Sequence, residues 1–291
     1  MDTMSQLISD LAQQEGLNTT YLPDVAVKRV SQYQPPTPLH YQKGIVIVGQ
    51  GSKCIHLGGK RLNYNHDNYL VLSVSLPAEC EVFASKEEPF LSLFLKIDMG
   101  DLGRIIDKME QHGDRTSFNQ EKNQPGLFIS ETAPAIRESA CRLLRALKSP
   151  VESDIMGRGI VNEILYRILC SENAASLYLL FIKNSNLSRV DKAIMQIHQN
   201  YYRPMRVDQL AAMVNMSTSS FHRAFKEVTA SPPIQYIKKV RLNKARELFL
   251  EKQLRVGEVA VAVGYESASQ FSREFKQYFG NSPAKLNSFR N

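Results

Sequence analysis

The chain carries the same short helix twice, fifty residues apart, and this duplication limits its possible folds more than any other feature. Residues 219–230 read SSFHRAFKEVTA and residues 269–280 read SQFSREFKQYFG. Laid over each other, Phe221 falls on Phe271, Arg223 on Arg273, Phe225 on Phe275 and Lys226 on Lys276. On a helical wheel Phe221, Ala224, Phe225 and Val228 share one face, while Ser219, His222, Arg223 and Lys226 occupy the other. In the second copy Phe271, Phe275 and Tyr278 line the inner face, and Ser269, Ser272, Arg273 and Lys276 point out. A short helix precedes each copy: VDQLAAMVN (207–215), then VGEVAVAVGY (256–265). Ser217 stands where an N-cap belongs, and Gly264 ends its helix at little cost. Two short helices across a tight turn predict a helix-turn-helix, here at 207–229 and again at 256–279.

The outward faces suit nucleic acid. Arginine pairs bidentately with the O6 and N7 of guanine, and serine, glutamine and histidine add shorter contacts. Lysines one step along suit phosphates, which set affinity and register. An Arg–Lys face on a single helix is usually only solvated. Two matching faces in the basic part of the chain carry more weight. Residues 188–291 hold 17 Lys and Arg against 8 Asp and Glu, a net of +9, whereas residues 1–187 hold 19 against 21. Between the copies PIQYIKKVRLNKARELFLEK (233–252) reads as one helix of about 20 residues and roughly 30 Å. Successive major grooves on one side of DNA lie roughly 34 Å apart, so such a helix can hold two reading heads in adjacent grooves. Arg241 shares a face with Ile234, Ile237, Ala245 and Leu248, and is expected to be structural, held by a carboxylate or by helix-end carbonyls.

The first half reads differently. A short amphipathic helix over 1–18 carries Leu7, Ile8, Leu11 and Leu17. Then DVAVKRVSQY (24–33), GIVIVG (44–49), KCIHLGG (53–59), NYLVLSVSL (68–76), CEVFA (80–84) and FLSLFLKI (90–97) read as strands between turn clusters, predicting an antiparallel barrel or jelly roll. From Met99 the period is helical again, with helices expected at MGDLGRIIDKMEQH, APAIRESACRLLRALKS and VESDIMGRGIVNEILYRILCSE. Pro150 divides the last two into a hairpin. The apolar stripe of Ile155, Ile160, Ile164, Leu165 and Ile168 is expected to pack on the barrel, with a dimer seam as the second use.

At SSFHRAFKEVTASPP, KKVRLNKARELF and VAVAVGYESASQFSREFKQYFGNSP the chain resembles the AraC/XylS family of bacterial transcription regulators. The segments YQKGIVIVGQGSKCIHLGGKRLNYNHDNYLVLSVSLPAECEV and EEPFLSLFLKIDM resemble the cupin-like regulatory domain found in that family. The resemblance implies an α+β multidomain protein. Its parts are a cupin-like β-barrel with a helical hairpin and an all-α domain of two helix-turn-helix units joined by a long central helix. Residues 1–182 would form the regulatory and dimerisation domain, 183–188 a linker and 189–291 the DNA-binding domain. Base readout would fall on Ser219, His222, Arg223, Ser269, Gln270, Ser272 and Arg273, and phosphate contact on Lys226 and Lys276. Double-stranded DNA, RNA polymerase, a small-molecule effector and a second copy are the partners implied, and activation is the expected sign.

Other classes fare less well. No run of about 18 apolar residues exists, so no membrane span is expected. The polar, acidic start is unlike a secretory signal, which makes the cytoplasm the expected location. A metal-dependent cupin enzyme would need an HxH pair, yet His40, His56 and His66 stand alone, so no metal, cofactor or catalytic residue is expected. The cysteines, Cys54, Cys80, Cys141 and Cys170, have no metal-finger spacing. Redox sensing through Cys54 and Cys80 is a further alternative. Spacing alone does not turn His40, Cys54, His56, Tyr69 or Cys80 inward or outward.

Overall fold

The computed structural model describes residues 3–113, 126–171, 173–182, 185–251 and 254–288. Helix α1 (Met4–Leu11) opens with a capping box between Thr3 and Gln6 and buries Leu7 and Ile8. It stops short of Leu17, which lies instead on β1 (Gly16–Thr19) and is exposed. The strands β2 (Val25–Val30), β4 (Gly44–Gln50), β7 (Asn68–Leu72), β9 (Phe90–Lys96) and β10 (Leu127–Glu131) join it in a six-stranded antiparallel sheet, in the order β1-β2-β9-β4-β7-β10. A second sheet runs β3-β8-β5-β6, from β3 (Gln34–Tyr41), β8 (Leu76–Phe83), β5 (Ser52–Leu57) and β6 (Lys60–Asn65). The β-rich domain is therefore two sheets that do not close by strand pairing into a barrel.

Four strands lie outside the expected ones, and all four are sheet edges. β1 overlaps the end of the span expected as the first helix, and β10 lies beyond Met99, where only helices are expected. β3 and β6 escape the pattern for opposite reasons. β3 contains Pro35, Pro36 and Pro38, which no central strand tolerates. It lies on a sheet edge, with a register shift between Gln34 and Thr37 that absorbs the missing donors. β6, KRLNYN, is polar because it is the other edge, and only Tyr64 on it is fully buried.

Helices α2 (Met99–Gln111), α3 (Pro134–Ala146), α4 (Pro150–Glu152), α5 (Arg158–Leu169) and α6 (Ala175–Phe181) pack around the sheets, and a π-helical turn at Ser153–Gly157 links α4 to α5. The apolar stripe divides there. Ile164, Leu165 and Ile168 are buried, whereas Val151, Ile155 and Met156 face outward.

The last part is helical: α7 (Asn186–Asn200), α8 (Val207–Met213), α9 (Thr218–Thr229), α10 (Pro233–Glu251), α11 (Val256–Ala262), α12 (Ala268–Phe279) and α13 (Pro283–Ser288). These form two helix-turn-helix units, α8–α9 and α11–α12, joined by the long α10. The apolar core is not divided along the sequence. One cluster runs from Met4 through the sheets to Val240 and takes in Phe221 and Phe225, so the first unit shares its core with the β-rich domain. The second unit has a small core of its own around Phe249, Val259, Phe271 and Phe275.

Several polar contacts fix that shared packing. Lys43, in the turn after β3, pairs with Asp191 on α7 at 2.9 Å, both largely buried. The Tyr236 hydroxyl, on α10, donates to the Ser75 carbonyl at 2.6 Å, and His198 Nε2 lies 3.0 Å from the Tyr236 hydroxyl oxygen. His198 in turn packs on His40 of β3, ring centroids 4.6 Å apart.

Candidate nucleic-acid interface

Each recognition helix is built the same way. Ser217 caps α9 by accepting from the Ser220 amide, and Ser267 caps α12 by accepting from the Gln270 amide. The preceding turns each need one left-handed residue: Asn215 at φ 54° in the first, Gly264 at φ 84° in the second. Only glycine fits the second turn, because a Cβ at Gly264 would lie 2.7 Å from the Tyr202 carbonyl oxygen. Inward, Phe221, Ala224, Phe225 and Val228 are buried on α9, and Phe271 and Phe275 on α12. Phe249 of α10 meets Phe275 edge-on at 5.8 Å, and this contact seats α12 on the central helix.

Outward, the two faces differ in what they leave free. On α9, Ser219, His222, Arg223 and Lys226 are all exposed, and the Ser219 hydroxyl lies 3.3 Å from that of Ser217. On α12, Ser269, Gln270, Arg273 and Lys276 are exposed, but Ser272 is half-buried and donates to the Ala268 carbonyl at 2.8 Å. That hydroxyl is spent on its own helix. The Gln270 amide donates to Glu274 at 3.2 Å, and Ser269 is 2.8 Å from Ser267. Arg223 and Arg273 are the freest directional donors of their helices.

Glu274 is a residue whose part the sequence hides. It lies between α10 and α12, 3.1 Å from the Lys238 ammonium, and accepts from Tyr265 at 2.9 Å. Burial opposes its ionisation, but the hydrogen bonds from Gln270, Tyr265 and Lys238 outweigh this and hold its carboxyl below the usual range. It ties α12 to α10 through Lys238. Arg241 does what its burial requires: Nε donates to the Tyr201 carbonyl at 2.8 Å and Nη2 to that of Arg203 at 2.9 Å, closing the end of α7.

The polar candidates of the β-rich half go different ways. His40 turns to the junction with α7, and Tyr69 is buried with its hydroxyl 3.1 Å from Ser171. Cys80 faces a cavity of about 400 Å³ lined also by Lys28, Tyr33, Thr37 and, from α10, Arg246. Behind it Lys53 is only 3% exposed, with its ammonium 4.5 Å over the Phe90 ring. Burial first, and then the charge of Lys28, push its pKa down to about 7. Among the described residues no carboxylate lies within ion-pair distance of Lys28 or Lys53. Cys54 cannot meet Cys80 without remodelling the sheet, because Cys80 is paired with Ile55 and so points to the opposite face. All four thiols are free, and no helix among the described residues is long and apolar enough to cross a membrane.

Comparison with known proteins places this geometry. Residues 21–176 match the family model of the AraC-type transcriptional regulator N-terminus, and residues 210–288 match a helix-turn-helix domain. The Msm operon regulatory protein of Streptococcus mutans is 30% identical over 133 residues, 43% of this chain and 48% of that protein. The RCS-specific activator RclR of Escherichia coli is 32% identical over 97 residues, 33% of this chain and 34% of its own. Such matches span about a third to a half of the relatives' length. Among solved structures, apo ToxT of Vibrio cholerae superposes with a TM-score of 0.62 at 12% identity over 94% of this chain and 99% of its own. ToxT with an unsaturated fatty acid bound gives 0.52 at 11% identity, over 94% and 97%. These likenesses speak for the fold.

Proposed function

The chain belongs to the AraC-type transcriptional regulators, whose N-terminal family model covers more than half of it, and from that premise we propose that it is a sequence-specific DNA-binding regulator under effector control. One observation carries the reading: two capped helices with buried phenylalanine faces and free Arg–Lys faces, held on one central helix of 19 residues. At 1.5 Å per residue that helix is about 28 Å long, close to the spacing of successive major grooves. Arg223 and Arg273 would read base edges, with Ser219, His222, Ser269 and Gln270 beside them, and Lys226 and Lys276 would hold phosphates. Ser272 would need to give up its bond to Ala268 to take part.

The regulatory half would bind a small anionic effector. Two lysines without a carboxylate partner lie beside the cavity, Lys28 in its lining and Lys53 behind it. Arg246 reaches that cavity from α10 and also donates to the Pro38 carbonyl at 2.9 Å. A ligand there would touch both halves and shift how α10 presents its reading heads. Activation through RNA polymerase is the regulatory sign proposed, and outward-facing Val151, Ile155 and Met156 supply an apolar surface for a second copy.

Mapping the DNA bound in cells gives the operator, and titration on it tests the roles. R273A should weaken operator binding by about 1–3 kcal/mol and relax preference at one position. K276A should weaken all sequences alike and flatten the salt dependence. Unchanged affinity and preference in R273A would refute the assignment.

A further inference from the structure

Outside the effector cavity, three unlike ligand groups converge on the outer face of the four-stranded sheet. Cys54 and His56 are two apart on β5 and therefore share a face. Glu81 on β8 is the direct cross-strand partner of Cys54. The Cys54 sulfur, a His56 ring nitrogen and a Glu81 oxygen all lie within 4.8 Å of one another. The pairing of Arg61 with His56 and of Asn63 with Cys54 puts those exposed β6 side chains on the same face. Lys53 and Ile55 point the other way, into the molecule. The three ligand groups thus lie on the face opposite Cys80, and Tyr33, which lines the cavity, also reaches Glu81.

Its groups are poised and under-used. His56 Nε2 is buried, 3.5 Å from Glu81 Oε2, and has no hydrogen-bond partner. The other Glu81 oxygen accepts from the Tyr33 hydroxyl at 2.8 Å, which fixes the carboxylate and leaves Oε2 turned toward His56. The Arg61 guanidinium lies against both Cys54 and Glu81 (3.5 Å from Oε2). It is 63% exposed. A solvent-exposed cation thus lies at the edge of the cluster. Sulfur, imidazole and carboxylate from two adjacent strands form a donor set that suits a four-coordinate zinc ion, whose fourth position Arg61 would have to vacate.

We propose that Cys54, His56 and Glu81 bind a divalent transition metal, zinc by donor set, on the outer face of this sheet. The strand that supplies two of the ligands leads directly to the Gly58–Gly59 turn. Gly58 is pressed on Ala230, so closely that a Cβ there would lie 2.8 Å from the Ala230 Cβ. Ala230 is the left-handed residue that ends recognition helix α9. An ion that stiffens the β5–β6 hairpin therefore bears on the first reading head, a consequence that rests on the DNA-binding reading above. The ion-binding claim itself does not.

The test uses the purified full-length chain loaded with Co(II) and then titrated with Zn(II). One equivalent of cobalt should give a sulfur-to-metal charge-transfer band and intense tetrahedral d–d absorption, both removed by zinc. C54S should abolish the charge-transfer band, while C80S leaves it intact. H56A and E81Q should weaken binding at least tenfold, and far-ultraviolet circular dichroism verifies that each variant is folded. R61A gives the decisive sign, because removing the competing cation should tighten zinc by about tenfold. Absence of a band in the native chain, its persistence in C54S, or weaker zinc binding in R61A would each overturn the site. Operator affinity with and without one equivalent of zinc tests the link to α9. Equal affinity in a chain that shows the cobalt band overturns the coupling and spares the site. Loss of operator binding in both conditions would count against the DNA-binding reading.

Discussion

Replacing Lys43 by methionine should loosen the chain where its two halves share a core. The Lys43 ammonium lies 2.9 Å from Asp191, and the two side chains are only 15% and 8% exposed. At an effective dielectric constant of about 20 the attraction between unit charges at that distance is roughly 6 kcal/mol. Most of it is offset by the cost of drying both ions. Burial already raises the Asp191 carboxyl above its usual range, and only Lys43 works against that rise. Methionine keeps the length and apolar stem of lysine, so the change removes the charge and little packing. It leaves a carboxylate buried without a partner, a defect that costs about 3–5 kcal/mol. We expect the lower end, about 3 kcal/mol, since Asp191 retains an edge in solvent and can take a proton. Urea unfolding at neutral pH should show a midpoint lowered by about 1 M at unchanged slope, for a slope near 3 kcal/mol/M. The double variant K43M/D191L should return to within about 1 kcal/mol of the native chain, because the pair together is worth little against an apolar isostere. A loss below about 0.5 kcal/mol in K43M, or strict additivity in the double-mutant cycle, would refute this account.

Two further outcomes follow from the same junction and from the second turn. Burial lowers the pKa of His40 to about 3 and of His198 to about 4, with His198 and Lys244 adding to the shift of the first and Lys244 to that of the second. Both rings are thus neutral in the packed state, while the unfolded chain takes up protons below about 6.5. The associated stability is complete above that value and is lost as the pH falls from about 6.5 toward about 4 for His198 and about 3 for His40, amounting to about 2–3 kcal/mol for the pair by pH 5.5. Urea midpoints that do not move between pH 7 and 5.5 would contradict it. G264A should unseat α12 at a cost of at least about 1–2 kcal/mol, from a left-handed backbone and a 2.7 Å clash with Tyr202. Amide exchange should report the loss in α11–α12 and spare the sheets, and uniform loss throughout would argue against a separate second core.

Repetition made the DNA-facing half legible. Phe221 and Phe271, Arg223 and Arg273 obey one helical period, and a local period needs no knowledge of distant neighbours. Where strands alternated or ran apolar, as in GIVIVG and FLSLFLKI, they too could be read. The four edge strands could not: β1 and β10 are only four and five residues long, and β3 and β6 need apolar residues on at most one face and tolerate proline or charge. Ser272 looked outward by its position on the wheel, but a hydroxyl bond to Ala268 turned it away, and wheels carry no hydrogen bonds.

Local chemistry in the sequence by itself determined the two helix-turn-helix units, the cap at Ser217, the long helix between the units and the structural part of Arg241, while the cap at Ser267 came from the structure. Only the tertiary structure decided which partners lie across strands. His56 was isolated in sequence, and it is the pairing of β5 with β8 that brings Glu81 to it and to Cys54. Strand register is set by packing over long sequence distances, so a face shared by residues 25 positions apart leaves no periodic trace. The same holds for the junction where Lys43 meets Asp191 and His40 meets His198, whose partners are neighbours only once both halves have folded on one core.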